Sequence, residues 1–166
     1  FALAETQLGI VKQHHPQAKV VFGVIMGTGV GGGLVVDGRA LGGLQGIGGE
    51  WGHNFLDESG GPCYCGKHGC VEKILSGPSL ERFYLSLTGE KKSLKEIYTL
   101  YQGGESAATE TIHRLTYFFG KALSVIVNII DPDVIVIGGG VGNIPEIYTE
   151  GVKSVRKFTF NNGVLD

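Results

Sequence analysis

An α/β fold is predicted by three features of the sequence: two apolar runs of strand length, a glycine-rich loop after each, and a long helical periodicity between them. The runs are Lys19 to Met26 and Val134 to Ile137, followed by Gly27-Thr28-Gly29 and Gly138-Gly139-Gly140. Near-continuous apolar strands are those buried on both faces, as in a sheet covered by helices. Glycine supplies 29 of the 166 residues, roughly 17% against an average of about 7%. The glycines cluster after apolar runs without a repeat, which points to close backbone approach to a ligand rather than to disorder.

Taken in order, Phe1 to Lys12 has helical spacing, with Leu3, Leu8 and Val11 on one side, and reads as a helix entered partway. Pro16 ends it, because helical backbone is disfavoured before proline, and His14 and His15 are expected in solvent. Lys19 to Met26 is the first strand, and Gly33 to Arg39 the second, closing on the Asp37-Gly38 turn. Gly27 to Gly32, between them, contains G-x-G-x-x-G, yet a strand follows where a dinucleotide fingerprint requires a helix, and no Walker lysine is present. What remains is a hairpin tip whose amides and Thr28 hydroxyl can surround phosphate oxygens, or a glycine hairpin with no ligand.

Leu41 to Gly49 is a glycine-dense loop. Helices are predicted from Pro78 to about Leu87, from Ser93 to about Tyr101 with Ser93 and Glu96 as a capping box, and from about Ser106 to Ile130. In the last, Ile112, Leu115, Phe119, Ala122, Ile126 and Ile130 recur at three and four, as one buried face requires. Phe118, Phe119 and His113 are expected to pack rather than to react. Asp131-Pro132 stops this helix, and Val134 to Ile137 reads as a strand buried on both faces. Beyond Gly138 to Gly140, Asn143 and Pro145 suit the start of a helix. Strand, glycine loop and helix make a crevice for a ligand at the carboxyl end of a strand, or a tight turn that needed glycine.

All three cysteines, Cys63, Cys65 and Cys70, fall within eight residues, ten positions after His53. Three thiolates and one imidazole complete a tetrahedral set for zinc. A disulfide fits poorly, since Cys63 and Cys65 are too close for relaxed geometry and the count is odd. His68 is the other candidate fourth ligand, but it is confined between Cys65 and Cys70 beside Gly69, so His53 is favoured. Four protein ligands close the sphere, making the zinc structural, a clamp on a glycine-rich segment that ends in Glu50 and Glu72. Those carboxylates suit a polyhydroxylated ligand; taken alone, Glu72 reads as a first-turn helix charge and Glu50 as a solvated loop residue.

Charge is nearly balanced, Lys+Arg 14 against Asp+Glu 16, which provides neither a basic footprint for nucleic acid nor a polybasic membrane patch. No signal peptide or membrane-length segment occurs, and three reduced cysteines fit a cytoplasmic location.

The run Glu50-x-Gly-His53, then Cys63-x-Cys65-Gly-x-x-Gly-Cys70-x-Glu72, resembles the signature of the ROK family of bacterial sugar kinases and sugar-responsive repressors, and the likeness extends over nearly the whole chain. The resemblance implies the C-terminal lobe of an actin-like, ribonuclease H-like ATPase fold with a zinc-binding insertion. It implies zinc on His53, Cys63, Cys65 and Cys70, with Glu50, His53 and Glu72 on sugar hydroxyls. One ring nitrogen of His53 would face the metal and the other the sugar. By the same resemblance Gly27, Thr28 and Gly29 hold ATP phosphates, Gly138, Gly139 and Gly140 border the adenosine, magnesium accompanies ATP, and a homodimer is expected. The family's catalytic aspartate and first phosphate hairpin belong before Phe1, in an N-terminal lobe absent from residues 1–166. Asp37, Asp57 and Asp131 do not occupy the motif position, so no catalytic residue is expected here and the isolated piece should be inactive. The expected function is ATP-dependent phosphorylation of a hexose hydroxyl, most often the 6-hydroxyl in this family. The alternative is the effector domain of a sugar-responsive repressor.

Overall fold

The computed structural model describes residues 1–160. Among them β1 (Val20–Met26), β2 (Val30–Val36), β3 (Arg39–Ala40) and β4 (Val134–Gly138) form one sheet in the order β3-β2-β1-β4. β1 and β2 are an antiparallel hairpin with Met26 opposite Val30, while β1 and β4 are parallel with Ile25 opposite Gly138. The parallel pair therefore ends on one rim of the sheet, and both glycine loops sit on that rim.

Seven helices accompany it among the described residues: α1 (Ala2–Gln7), α2 (Ile10–His14), α3 (Glu72–Leu75), α4 (Gly77–Thr88), α5 (Leu94–Gln102), α6 (Ser106–Ile130) and α7 (Glu150–Phe158). The period-two pattern of β1 separates the two covering layers. Phe22, Val24 and Met26 pack into one core with Ile112, Leu115 and Phe119 of α6. Val21 joins Val35 and Val136 against Ala2 and Val11 of the first two helices. Each of the large side chains buried here contributes about 1.5–3 kcal/mol relative to exposure.

α6 has the predicted limits, and Asp131 ends it in the left-handed conformation at φ 41°. α5 carries the predicted capping box, with Ser93 and Glu96 bonded reciprocally. Five expectations need correction. The first helix breaks at Leu8-Gly9, leaving Leu8 82% exposed, because the Glu5 carboxylate accepts the Ile10 amide and caps a new helix there. The second strand starts at Val30 rather than Gly33, so the hairpin tip is only Gly27 to Gly29. β4 is less buried than expected, with Val136 alone fully covered, since it pairs on one side only among the described residues. Asn143 and Pro145 lie in two 3-10 turns, and the helix begins at Glu150 instead. His113 is exposed rather than packed.

Candidate functional site

The segment from Glu50 to Glu72 is held to the sheet by Trp51. Its indole N–H donates to the Gly31 carbonyl at 2.8 Å, and its ring meets Phe22 edge-on with centroids 6.0 Å apart. A buried aromatic with its polar handle satisfied is a strong anchor. Burying Trp51 leaves Glu50 exposed and His53 half-buried on either side of it. The loop closes where the Val71 amide donates to the Asn54 carbonyl at 3.0 Å, and a tight turn forms where the Cys63 amide donates to the Lys67 carbonyl at 2.8 Å.

The side chains of His53, Cys63, Cys65 and Cys70 converge, with one ligand atom from each lying within 4.8 Å of all the others. Cys65 Sγ and Cys70 Sγ are 3.7 Å apart, as are Cys63 Sγ and His53 Nδ1. Zinc bonds of about 2.3 Å to sulfur and 2.0–2.1 Å to nitrogen imply tetrahedral edges of about 3.5–3.8 Å. The donor set thus fits zinc in both chemistry and spacing. His68 does not join it; its Nδ1 lies 2.9 Å from Glu58 Oε2, directed away from the sulfurs. Burial, reinforced by the neighbouring sulfurs, pushes the Cys70 thiol up to about 12. Cys65 is shifted the other way, chiefly by the Lys67 backbone amide.

His53 presents its other nitrogen outward, Nε2 lying 3.0 Å from the Tyr64 hydroxyl. The charge of Glu72 is the largest cause raising the Tyr64 pKa, and Glu50 adds to it. Both carboxylates therefore act by their charge on the hydroxyl that contacts His53. A cavity of about 620 Å³ is lined by Glu50 and His53 themselves, together with Asn54 and Lys67. Phe22, Leu34, Ile47, Ile126 and Ile130 form its apolar wall, and Glu72 is not among its lining residues.

On the rim, the glycine loops meet. A methyl group added at Gly27 would stand 4.0 Å from the Gly140 amide nitrogen, and Gly139, at φ 87°, sits against the Met26 backbone. Thr28 is exposed at the tip. Two bonds tie this tip to the segment after the cysteines. Glu72 Oε2 accepts the Val30 amide at 3.0 Å, and the Gly27 carbonyl accepts the Gly77 amide at 2.8 Å. Asp37 and Asp131 stand at the opposite ends of β1 and β4, while Asp57 accepts from Ser59 and pairs with Lys121 at 3.6 Å. None of the three faces the rim. Trp51 and Tyr64 are the participants that sequence reasoning passed over, although each is enclosed by motif residues, one between Glu50 and His53 and the other between Cys63 and Cys65.

Parallel strands that end in facing glycine loops make an α/β domain with a crevice at the carboxyl ends of its strands, and its fold is that of ROK kinase structures of the actin-like ATPase class. The ROK hexokinase of Thermus thermophilus superposes with a TM-score of 0.85 at 35% identity, covering 95% of this chain and 52% of that one. The ROK family model matches residues 1–163, and the chain belongs to the ROK family. N-acetyl-D-glucosamine kinase of Pectobacterium atrosepticum is 40% identical over 139 residues, 78% of this chain and 46% of that protein. The Shigella boydii enzyme of the same name is 38% identical over 160 residues, 90% and 52% of the two chains. The chain spans about half the length of these relatives. A ROK family transcriptional regulator also superposes, with a TM-score of 0.78 at 28% identity, over 96% of this chain and 42% of that one.

Proposed function

We propose that this chain is the C-terminal lobe of an ATP-dependent hexose kinase. The observation that carries this reading is that Glu72 is hydrogen-bonded to the hairpin whose glycine tip meets the second glycine loop. Glu50, His53 and Glu72 hold sugar hydroxyls; Gly27, Thr28 and Gly29 cradle ATP phosphates; Gly138, Gly139 and Gly140 border the adenosine. Zinc on His53, Cys63, Cys65 and Cys70 is structural, because four protein ligands leave no open position. Magnesium accompanies the ATP. In the reaction the sugar hydroxyl oxygen bonds to the γ-phosphorus, the bond to the ADP oxygen breaks, and the hydroxyl proton passes to a base supplied by the N-terminal lobe. Positioning of this kind is most of what phosphoryl transfer needs. The names of the relatives at 38–40% identity make N-acetyl-D-glucosamine the first substrate to try.

The test is coupled ADP release by the full-length protein against a panel of hexoses and N-acetylhexosamines. At least one is expected to stimulate release well above background, and a panel with no active sugar overturns the reading. The likeness to a transcriptional regulator supports a second reading, a sugar-sensing repressor. It predicts sugar binding and sugar-released DNA binding without ADP formation.

A further inference from the structure

We propose that Glu72 is a positioning residue that couples the two halves of the site, setting the phosphate hairpin with one carboxylate oxygen while the other serves the sugar. This rests on the kinase reading above. Oε2 accepts the Val30 amide at 3.0 Å, the first amide after the three-residue tip. Among the described residues, Oε1 takes no protein hydrogen bond. The carboxylate is half-buried, which limits screening of the bond by water.

The surroundings hold Glu72 in turn. The Glu72 carbonyl accepts the Ser79 hydroxyl at 2.9 Å, and Arg82 donates to that same hydroxyl oxygen at 2.7 Å. The Gly77 amide fixes the other side of the tip through the Gly27 carbonyl. Cys70, in the metal-binding cluster, lies two residues before Glu72, and its carbonyl accepts the Lys73 amide at 2.9 Å. The turn that starts at Cys70 thus carries Glu72, whose carboxylate reaches the hairpin. Gly29 supplies the way to perturb it. A methyl group there would lie 2.7 Å from Oε2 and touch nothing else of Glu72 closer than 3.6 Å. Gly29 is outside the left-handed region, so alanine fits its backbone and displaces only the end of a flexible side chain.

If Glu72 merely braced the hairpin, a substitution at the tip would alter nucleotide binding alone. If it positions both ligands, a methyl on the phosphate loop reaches the sugar. The experiment uses the full-length protein and calorimetric titration, without nucleotide, of whichever hexose releases most ADP with the wild type. Gly29→Ala is expected to raise the sugar Kd about tenfold, the scale of one charge-assisted hydrogen bond. Gly31→Ala, on the same hairpin with no atom within 4 Å of the added methyl, is the control and should stay within about twofold. Glu72→Leu, titrated with a non-hydrolysable ATP analogue without sugar, should weaken nucleotide binding about tenfold, while Glu72→Gln, which retains an acceptor for Val30, should restore most of it. An unchanged sugar Kd in Gly29→Ala, or unchanged analogue binding in Glu72→Leu, overturns the inference even where the wild type is an active kinase. A wild type with no active sugar overturns the kinase reading and the inference with it.

Discussion

The hydroxyl of Tyr64 lies 3.0 Å from Nε2 of His53, with the two rings nearly perpendicular at 89°. Nδ1 faces the cysteine sulfurs, so with a metal on that nitrogen Nε2 carries the proton and donates it. Tyr64 is 80% exposed and free to swing outward. A sugar hydroxyl that takes the His53 proton must first displace the tyrosine. Tyr64→Phe removes this competitor, and the sugar Kd should fall about two- to tenfold, the worth of one neutral hydrogen bond. Calorimetry checks it; weaker sugar binding in the variant would instead make the hydroxyl a part of the pocket.

The sulfur and imidazole cluster predicts about one zinc per chain in protein purified without added metal. Cys70→Ser, at a buried position, should reduce the content to near zero. His68→Ala should leave it unchanged, since His68 faces Glu58. Elemental analysis distinguishes the two. Hydrogen exchange should show residues 50–72 losing protection on chelation, while α6 keeps its own, because that helix is held by the apolar core rather than by the metal.

Asp133 joins the amino ends of β1 and β4, accepting the Lys19 amide at 2.9 Å and the Val20 amide at 2.8 Å. These bonds, Val20 first, hold its carboxyl below the usual range. A carboxylate whose pKa is depressed on folding stabilises above its unfolded pKa of about 3.9 and loses that contribution as pH falls through the folded value. Asp133→Asn should therefore lower the urea midpoint at pH 7 and make the drop toward pH 3 shallower than in the wild type. Asp57, lowered chiefly by the Ser59 hydroxyl, acts in the same direction and leaves part of the acid sensitivity in place.

Local features were the readable ones. α6 could be bounded from sequence because its periodicity and the Asp131-Pro132 stop lie within the segment, and α5 because Ser93 and Glu96 are three apart. The cysteine cluster was legible for the same reason, with all four ligands inside eighteen residues. Contacts between distant residues were not. Glu72 meets Val30 across 42 positions, and nothing in either neighbourhood announces the bond. The break at Gly9 depends on where the Glu5 carboxylate points, a rotamer outcome that spacing does not encode. The depth of β4 depends on how many neighbours it has, which apolar composition alone overstates.

The approach of the two glycine loops is set by Gly139. Its φ of 87° is costly for any side chain, and a methyl group there would lie within 3.0 Å of the Met26 backbone, which cannot turn aside as a side chain can. Gly139→Ala must therefore push the carboxyl ends of β1 and β4 apart or strain the turn, at a cost of about 2–4 kcal/mol. Gly140→Ala meets no atom within 4 Å and should cost less than about 1 kcal/mol. Urea denaturation measures both, and equal effects would mean that the rim does not depend on this close approach. Since Gly27 borders Gly140, Gly139→Ala is also expected to weaken binding of a non-hydrolysable ATP analogue beyond the effect of its lower stability. Measuring that affinity at a temperature where both variants are fully folded separates displacement of the loops from partial unfolding.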